Sequence, residues 1–134
     1  NLKILQSMGM FVISKRQNGA YKFVFTSRKG KTIFTSISLK NKQDCQTMIN
    51  GLAGHIHEFS FRKKSTPSGK HFFRLIKDGF VLATSRKYST PLLLSKGIDE
   101  ILKYLPAAET LDFSDNSDVF QQTDQNAIKS PTEK

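Results

Sequence analysis

The sequence predicts an α+β fold built from two copies of a βββα unit, and three observations support this prediction. Residues 30–39 (GKTIFTSISL) and 79–88 (GFVLATSRKY) lie 49 positions apart and share Gly at the first position and Thr-Ser at the sixth and seventh. Strand-like alternation precedes each stretch, and helical spacing follows it. One unit is too small for a core of its own, so we expect both to form one antiparallel sheet with two helices on one face, about a pseudo-two-fold axis.

Each unit contains strand-like stretches in which apolar and polar residues alternate. Such alternation places one face of a strand on a core. The residues expected to face the helices are Tyr21, Phe23 and Phe25 in the first unit and His71, Phe73 and Leu75 in the second. Glycine turns separate the stretches at RQNGAY, SRKGKT and STPSGK. Aligning Phe11 with Phe59 gives the second unit two extra residues in its first turn and one fewer in its second.

A helical period follows the strands of each unit. The apolar positions that recur at helical spacing are Cys45, Met48, Ile49 and Leu52, and then Leu94, Ile98, Ile101, Leu102 and Leu105. Asn41 and Thr90 precede these runs and are suitable N-caps. Pro91 stands at the first helical position, where its missing N–H is not needed. We therefore expect one helix at the end of each unit.

Composition and pattern divide the chain into five segments. These are an N-terminal extension (1–9), the first repeat (10–56), the second repeat (57–108), a short strand (109–115) and a disordered acidic and polar tail (116–134). The net charge of +10 is unevenly distributed, because residues 1–108 hold 19 bases and five acids whereas the remainder holds six acids and two lysines. A basic body of this kind attracts nucleic acids or acidic proteins.

The chain shows no sign of secretion or membrane insertion. Cys45 is its single cysteine, so no internal disulfide can form. No apolar run approaches the roughly 18 residues that a membrane helix needs. We expect a cytoplasmic protein without membrane contact, a monomer that contains an internal pseudo-dimer.

An ordered series of short motifs runs through both units. The first has FVISK, GAYKFVF and GKTIFTS, and the second has FSFRK, GKHFFRL and GFVLATSRKY, followed by Gly-Ile in the helix. This series, over residues 10–105, resembles the YegP-like family of small bacterial and archaeal proteins, a domain of unknown function. The resemblance implies a sheet shared by two repeats, in which the strand after each helix crosses to the other repeat. Those strands are implied at 57–64 and 109–115.

The chain departs from the family pattern at two positions of the first unit. Leu39 stands where Tyr is common, and Met48 stands where Gly is common. The first unit is therefore the more divergent copy, and any site that uses the tyrosine exists only at Tyr88. The family supplies no catalytic residue or cofactor, so the resemblance implies none here.

Few residue combinations indicate chemistry. His55 and His57 lie on one side of a strand without further ligands nearby, so we expect no metal site. Ser36 and Ser85 recur without a base or a nucleophile elbow, and we expect them to satisfy backbone groups at strand ends. Cys45 falls on the apolar helix stripe, which favours a buried thiol over a redox one. We therefore expect no enzymatic activity, no catalytic residue and no cofactor.

The sheet face away from the helices is predicted to combine cations with aromatic rings. Strand alternation assigns to it Lys22, Phe34, Arg62, Phe72 and Arg74. Such a surface suits base stacking and phosphate pairing, and an uncovered face with apolar residues also suits a protein contact. The sequence thus predicts a non-enzymatic interaction module whose partner is an acidic protein or a nucleic acid. The alternative is a single-stranded nucleic-acid-binding protein that uses these five residues.

Overall fold

The computed structural model describes residues 9–115 and contains seven strands and two 14-residue α-helices there. The strands are β1 (Met10–Lys15), β2 (Tyr21–Thr26), β3 (Thr32–Ser36), β4 (Ser60–Ser65), β5 (His71–Lys77), β6 (Phe80–Ser85) and β7 (Glu109–Asp112). The helices are α1 (Lys42–His55) and α2 (Pro91–Tyr104), which continue into 3-10 turns at Ile56–Glu58 and Leu105–Ala107. The predicted tail over 116–134 and all but the last residue of the predicted extension lie outside the described residues.

All seven strands belong to one sheet, in the order β4-β5-β6-β3-β2-β1-β7. Every neighbouring pair is antiparallel except β1 and β7, so the sheet is mixed and not antiparallel throughout as predicted. β7 reaches its neighbour after a helix and not through a hairpin, and no tight turn therefore forces it to run antiparallel. The fold is α+β, with one sheet and two helices.

Phenylalanine rings form the centre of the core, between the sheet and the helices. The five that are fully buried are Phe11, Phe23, Phe25, Phe34 and Phe73. The ring centroids of Phe11 and Phe25 are 5.3 Å apart, and those of Phe25 and Phe34 are 5.7 Å apart. The helices add Cys45, Ile49 and Leu52 from α1, and Leu94 and Ile101 from α2. Strand alternation therefore identified the core face correctly on β2 and β5.

Side-chain caps begin both helices where the sequence predicts them. The Asn41 side-chain oxygen accepts a hydrogen bond from the Asp44 N–H at 2.7 Å. The Thr90 hydroxyl accepts one from the Leu93 N–H at 3.1 Å, and Pro91 occupies the first turn. Each cap satisfies an amide that the helix leaves unpaired and contributes about 1 kcal/mol.

The first turns of the two units have the same length, which corrects the alignment made from the sequence. Arg16 N–H donates to the Ala20 carbonyl at 2.7 Å, and Thr66 N–H donates to the Lys70 carbonyl at 2.9 Å. Counted through these turns, Phe61 and not Phe59 corresponds to Phe11. The expected two-residue insertion in the second unit is therefore wrong. Phe59 precedes β4, so its aromatic ring does not occupy the strand position that Phe11 has in β1.

Matching hydrogen bonds join β3 and β6 at the centre of the sheet. Ile33 accepts a hydrogen bond from the Arg86 N–H at 2.8 Å. Leu82 accepts one from the Ile37 N–H at 3.0 Å. The adjoining ladders β2–β3 and β5–β6 each contain a register shift, after Phe25 in one and between residues 75 and 76 in the other. The two halves of the sheet therefore meet through equivalent backbone contacts.

The strand implied at 109–115 is present as the shorter β7. It lies against β1, and the Phe113 N–H beyond it donates to the Ile13 carbonyl at 2.8 Å. The strand implied at 57–64 is β4, which pairs with β5. Thus β7 is the edge strand on one side of the sheet and β4 is the edge strand on the other.

Candidate functional site

The sheet face opposite the helices carries a compact group of cations on β4 and β5. Cα partners in an antiparallel pair point to the same side, and Arg62 is partnered with Arg74 and Lys64 with Phe72. The Arg74 guanidinium lies 5.7 Å from the centroid of the Phe72 ring. We call these four residues, Arg62, Lys64, Phe72 and Arg74, the basic cluster.

The hairpin that holds the basic cluster has cations but no acids. Over residues 59–77 the cations are Arg62, Lys63, Lys64, Lys70, Arg74 and Lys77. Lys63 Nζ lies 3.4 Å from Ser95 Oγ on the helix side, and Lys77 Nζ pairs with Glu58 at 3.1 Å. Within residues 9–115 no carboxylate forms a salt bridge with a cation of the basic cluster. Its positive charge is therefore not offset by the described part of the chain.

The assignment of Phe34 to this surface is wrong. Phe34 is partnered with Phe25 on the core face, is 0% exposed and stacks on the Phe25 ring. The register shift between Phe25 and Thr26 places both Ile33 and Phe34 in the interior, so strict alternation fails on β3. Phe34 is a core residue and cannot contact a partner.

Lys22 lies on the predicted face but away from the basic cluster. It is partnered with Ser14 on β1, and β3 and β6 separate its strand from β5. Three strand spacings amount to about 14 Å. Lys22 instead lines a surface depression with Lys15 and Arg16. The five predicted residues therefore do not form one site, and three of them, Arg62, Phe72 and Arg74, remain together.

Ser36 and Ser85 occupy matching places at the ends of β3 and β6. The Ser36 hydroxyl accepts a hydrogen bond from the Phe23 N–H at 2.9 Å and donates to the Ile37 carbonyl at 2.8 Å. The Ser85 hydroxyl accepts from the Phe73 N–H at 2.9 Å and donates at 2.7 Å to the carbonyl of the residue that follows it. Each hydroxyl thus links two backbone groups where the chain leaves the sheet.

His55 and Cys45 are engaged in local interactions. His55 Nδ1 lies 3.1 Å from Oε2 of the Glu58 carboxylate. The other carboxylate oxygen, Oε1, accepts a hydrogen bond from Lys77 Nζ. Burial, with smaller contributions from Asp44 and Asp112, raises the pKa of the Cys45 thiol to about 11. Within residues 9–115 no group of three His, Cys, Asp or Glu side chains is arranged to hold a metal ion.

Tyr88 packs directly on α2 at Gly97, a contact that the sequence motif alone did not reveal. A Cβ atom at Gly97 would lie 2.8 Å from Tyr88 Cζ and closer still to its hydroxyl. Burial raises the pKa of the Tyr88 hydroxyl, although Arg86, 4.8 Å from the ring centroid, opposes this effect. Tyr88, Gly97, Arg86 and Leu93 line a cavity of about 220 Å³.

An equivalent place beside α1 is lined by Leu39 and Met48. This groove of about 410 Å³ also contacts Phe59 and Leu82, with Lys77 at its margin. Leu39 bridges to Tyr21 as Tyr88 bridges to His71, so the two grooves have the same backbone frame. In the sequence, this difference between the two grooves is indicated by Leu39 and Met48, the two positions that depart from the family pattern.

Salt bridges connect β7 and the residues after it to the start of α1. Lys42 Nζ lies 3.1 Å from Asp112 and 3.6 Å from Asp115. Burial raises the pKa of Asp112, but hydrogen bonds from the Ser114 hydroxyl and amide and from Lys42 outweigh it, and the resulting pKa is below the ordinary range. The hydrogen bond to Asp112 raises the pKa of Lys42 in turn.

In the part of the chain that the structure describes, no helix combines the length and apolar character needed to cross a bilayer. No protein-family model and no curated protein matches the chain.

Solved structures with this architecture include two determined by solution NMR. YegP from E. coli, described as a protein of unknown function, is 22% identical, with a TM-score of 0.69 over 80% of this chain and 94% of that chain. A UPF0339 protein from Shewanella oneidensis is also 22% identical, with a TM-score of 0.69 over 79% of this chain and 92% of that chain. The chain therefore adopts the YegP-like fold, as its repeated motifs predict.

Proposed function

We propose that the protein is a non-enzymatic interaction module that binds an anionic partner through the basic cluster. The observation that carries this proposal is the placement of Arg62 directly opposite Arg74 across the β4–β5 ladder. Like charges at such positions destabilise a sheet by roughly 0.2–1 kcal/mol. An anionic group bound between the two guanidinium groups removes this repulsion, so a cost in the free protein becomes a gain on binding.

The charge of the whole chain favours the same class of partner. Its net charge is +10, and residues 1–108 hold 19 bases against five acids. A field of this sign raises the rate of encounter with anionic partners and weakens as salt increases. Long-range attraction thus supports encounter, while the basic cluster defines where the partner binds.

Titration with a labelled polyglutamate peptide, followed by fluorescence polarisation, tests this proposal. Arg62→Gln and Arg74→Gln are each expected to weaken binding about three- to fivefold, since an exposed charge pair contributes up to about 1 kcal/mol. Lys29→Gln removes the same charge in the β2–β3 turn and serves as the matched control, with a loss below about twofold. Equal losses for all three variants would show that only net charge matters, against a defined site.

A second candidate function is the binding of single-stranded nucleic acid. The observation that favours it is the Phe72 ring beside the Arg74 guanidinium on the open sheet face, at 5.7 Å. Stacking of a base on such a ring contributes roughly 1–3 kcal/mol. A guanidinium next to the ring suits the phosphate that follows the stacked base.

A labelled oligonucleotide, titrated at two salt concentrations, tests the second candidate. If the three cations of the basic cluster contact phosphates, affinity falls roughly 20-fold between about 50 and 200 mM salt. Phe72→Leu retains an apolar side chain but removes the aromatic face. This variant is expected to lose oligonucleotide affinity and to keep its affinity for polyglutamate. Absence of binding at the lower salt concentration removes nucleic acid as a candidate.

We further infer that the chain contains two copies of one unit, related by a pseudo-two-fold axis at the centre of the sheet. Thr35 and Thr84, 49 positions apart, are partners across the β3–β6 pair, and this pairing supports an axis between them. Three matching features support this inference: the serine hydrogen bonds, the first turns, and the backbone hydrogen bonds between β3 and β6. An internal pseudo-dimer of this kind supports a monomeric state, which light scattering would contradict by showing a dimer mass.

We also propose that the protein works in the cytoplasm. Cys45 is its single cysteine and is buried, so the fold depends on no disulfide and on no oxidising compartment. Fractionation of cells that express a tagged chain tests this location, and recovery outside the cytoplasmic fraction would contradict it.

A further inference from the structure

Strands β1 and β4 occupy matching positions in the two halves of the sheet but differ in what lies on their outer sides. β1 carries β7 on its outer side, whereas no strand within residues 9–115 pairs with the outer side of β4. We propose that this side of β4 binds an extended acidic segment of a partner protein, which adds a strand parallel to β4 as β7 does to β1. The inference rests on the proposed function and specifies the partner as a strand-forming acidic segment.

The pairing of β7 with β1 shows which side chains such a segment needs. Asp112 is partnered with Ile13 and forms its salt bridge on the helix side of the sheet. Lys63 takes the place of Ile13 on β4, because it is partnered with Phe73 as Ile13 is with Phe23. An acid at the position of Asp112 therefore lies beside the Lys63 ammonium group, whose one described contact is the 3.4 Å hydrogen bond to a serine hydroxyl on α2.

An exposed apolar side chain lies near this acid on α2. Ser95 on α2 meets Lys63, and Leu92 lies one turn before Ser95 on the same side of the helix. Leu92 is 65% exposed. The segment that fits β4 therefore has an acid at the position of Asp112, where it faces Lys63 on the helix side of the sheet.

A second copy of the chain fits this edge less well than a foreign segment. Three adjacent cations, at residues 62–64, oppose edge-to-edge pairing of β4 with another β4, as cationic edge strands generally do. The β7 strand of a second copy is already bonded to its own β1. An acidic strand from another protein satisfies both the unpaired backbone groups and the charge.

The chain's own C-terminal residues are also poor occupants. The described chain ends at Asp115 beside Lys42, at the β7 edge. Six strand spacings separate this edge from β4, about 29 Å. Residues 116–124, which hold Asp118 and Asp124, extend about 30 Å when fully stretched, so they need their whole length to cross the sheet. The residues beyond them contain one acid and two lysines, so they lack the required charge.

The experiment uses the full chain and a synthetic peptide with the sequence of residues 107–115, AAETLDFSD. A second peptide carries Pro in place of Leu111, which keeps every charge but removes a strand hydrogen bond. Fluorescence polarisation gives affinities, and NMR hydrogen exchange reports protection of individual amides. We expect the first peptide to slow exchange in residues 60–65, and the proline peptide to bind about tenfold more weakly. Lys63→Gln should weaken binding severalfold, whereas Lys29→Gln should not.

The other outcomes overturn the inference in distinguishable ways. Equal affinity for both peptides without protection of β4 refutes strand addition, while charge-based binding to the basic cluster remains. Protection of residues 10–15 instead means that the peptide displaces β7, which also refutes docking on β4. If neither peptide binds while polyglutamate does, strand addition fails and the proposed function stands. If polyglutamate also fails to bind, the proposed function falls as well.

Discussion

The groove beside α2 and the groove beside α1 differ in which element supplies the larger side chain, the loop or the helix. At the first, a large ring on the loop, Tyr88, lies on a helix position without a side chain, Gly97. At the second, a smaller Leu39 on the loop faces a larger Met48 on the helix. The larger side chain therefore belongs to the loop in the α2 groove and to the helix in the α1 groove, while the backbone bridges of the two loops match. The two positions are therefore coupled at the α2 groove, where a side chain at residue 97 would overlap the Tyr88 ring.

The same difference changes the surface that each groove presents. The α2 groove is smaller and its margin carries Arg86, Lys96 and Glu100, whereas the α1 groove is larger and lined by Leu39, Met48, Phe59 and Leu82. The two grooves thus differ in volume and in lining residues while they keep the same backbone frame.

The largest effect is expected from the aromatic core, which has buried rings at corresponding places on β2 and β5. Phe23→Ala and Phe73→Ala each remove a fully buried ring, and each should lower the free energy of unfolding by roughly 3–5 kcal/mol. A loss of this size leaves a marginally stable domain largely unfolded. Urea titration followed by circular dichroism measures it. A small loss at one position only would mean that the two rings are not equivalent.

Gly97→Met should produce the next largest loss, about 3 kcal/mol, because the new side chain overlaps the Tyr88 ring. Gly51→Met in α1 is the control, since nothing lies within 4 Å of a Cβ atom there. It should leave stability unchanged or raise it by up to about 1 kcal/mol through helix propensity. Thermal unfolding compares the two variants.

If residues 88 and 97 are coupled, a second substitution should rescue Gly97→Met. Adding Tyr88→Leu builds the arrangement of the first copy into the second, and the double variant should regain most of the lost stability. Destabilisation that simply adds in the double variant would show that the two positions are independent.

The serines at the ends of β3 and β6 should give equal, intermediate losses. Ser36→Ala and Ser85→Ala each leave a buried phenylalanine N–H without its acceptor, at a cost of about 1.5 kcal/mol. Their unfolding midpoints in urea should agree closely. A clear difference between them would contradict the equivalence of the two copies at this place.

Asp112→Asn should give the smallest effect, below about 1 kcal/mol because the carboxylate is partly exposed. The lowered pKa of Asp112 means that the ionised carboxylate stabilises the fold above the ordinary carboxyl range, and that this contribution is lost as pH falls through the lowered pKa. The melting temperatures of wild type and variant should therefore differ at neutral pH and converge in acid. Glu109→Gln, on the same strand, is the control and should show no such convergence.

Local sequence patterns were sufficient to predict the elements and most of the core. Period-two alternation identified the buried faces of β2 and β5, because the alternating residues of both strands lie before the register shifts at 25/26 and 75/76. Asn41 and Thr90 predicted the helix starts, since capping depends on residues within one turn. In each of these elements the interaction partners are close along the chain.

The failures concern features that depend on distant pairing. Phe34 was misplaced because a register shift between β2 and β3 breaks the alternation, and nothing in β3 itself announces it. Lys22 was grouped with Arg74 because strand order cannot be read from alternation. The direction of β7 is likewise set by its contact with β1, a strand about one hundred residues earlier. The candidate site therefore survived only where its members share one hairpin.

The pairing of the first strand with the last has a consequence for how the chain folds. β1 and β2 meet across a short turn, whereas Met10 meets Glu109 only after the loop between them has closed. Closing a loop costs about 0.6 kcal/mol more for each doubling of its length, and contacts distant in sequence slow folding. Among the seven described strands, β1 is synthesised first and β7 last. Until β7 is added, the outer N–H and C=O groups of β1 have no strand partner among the described residues and can pair with another chain.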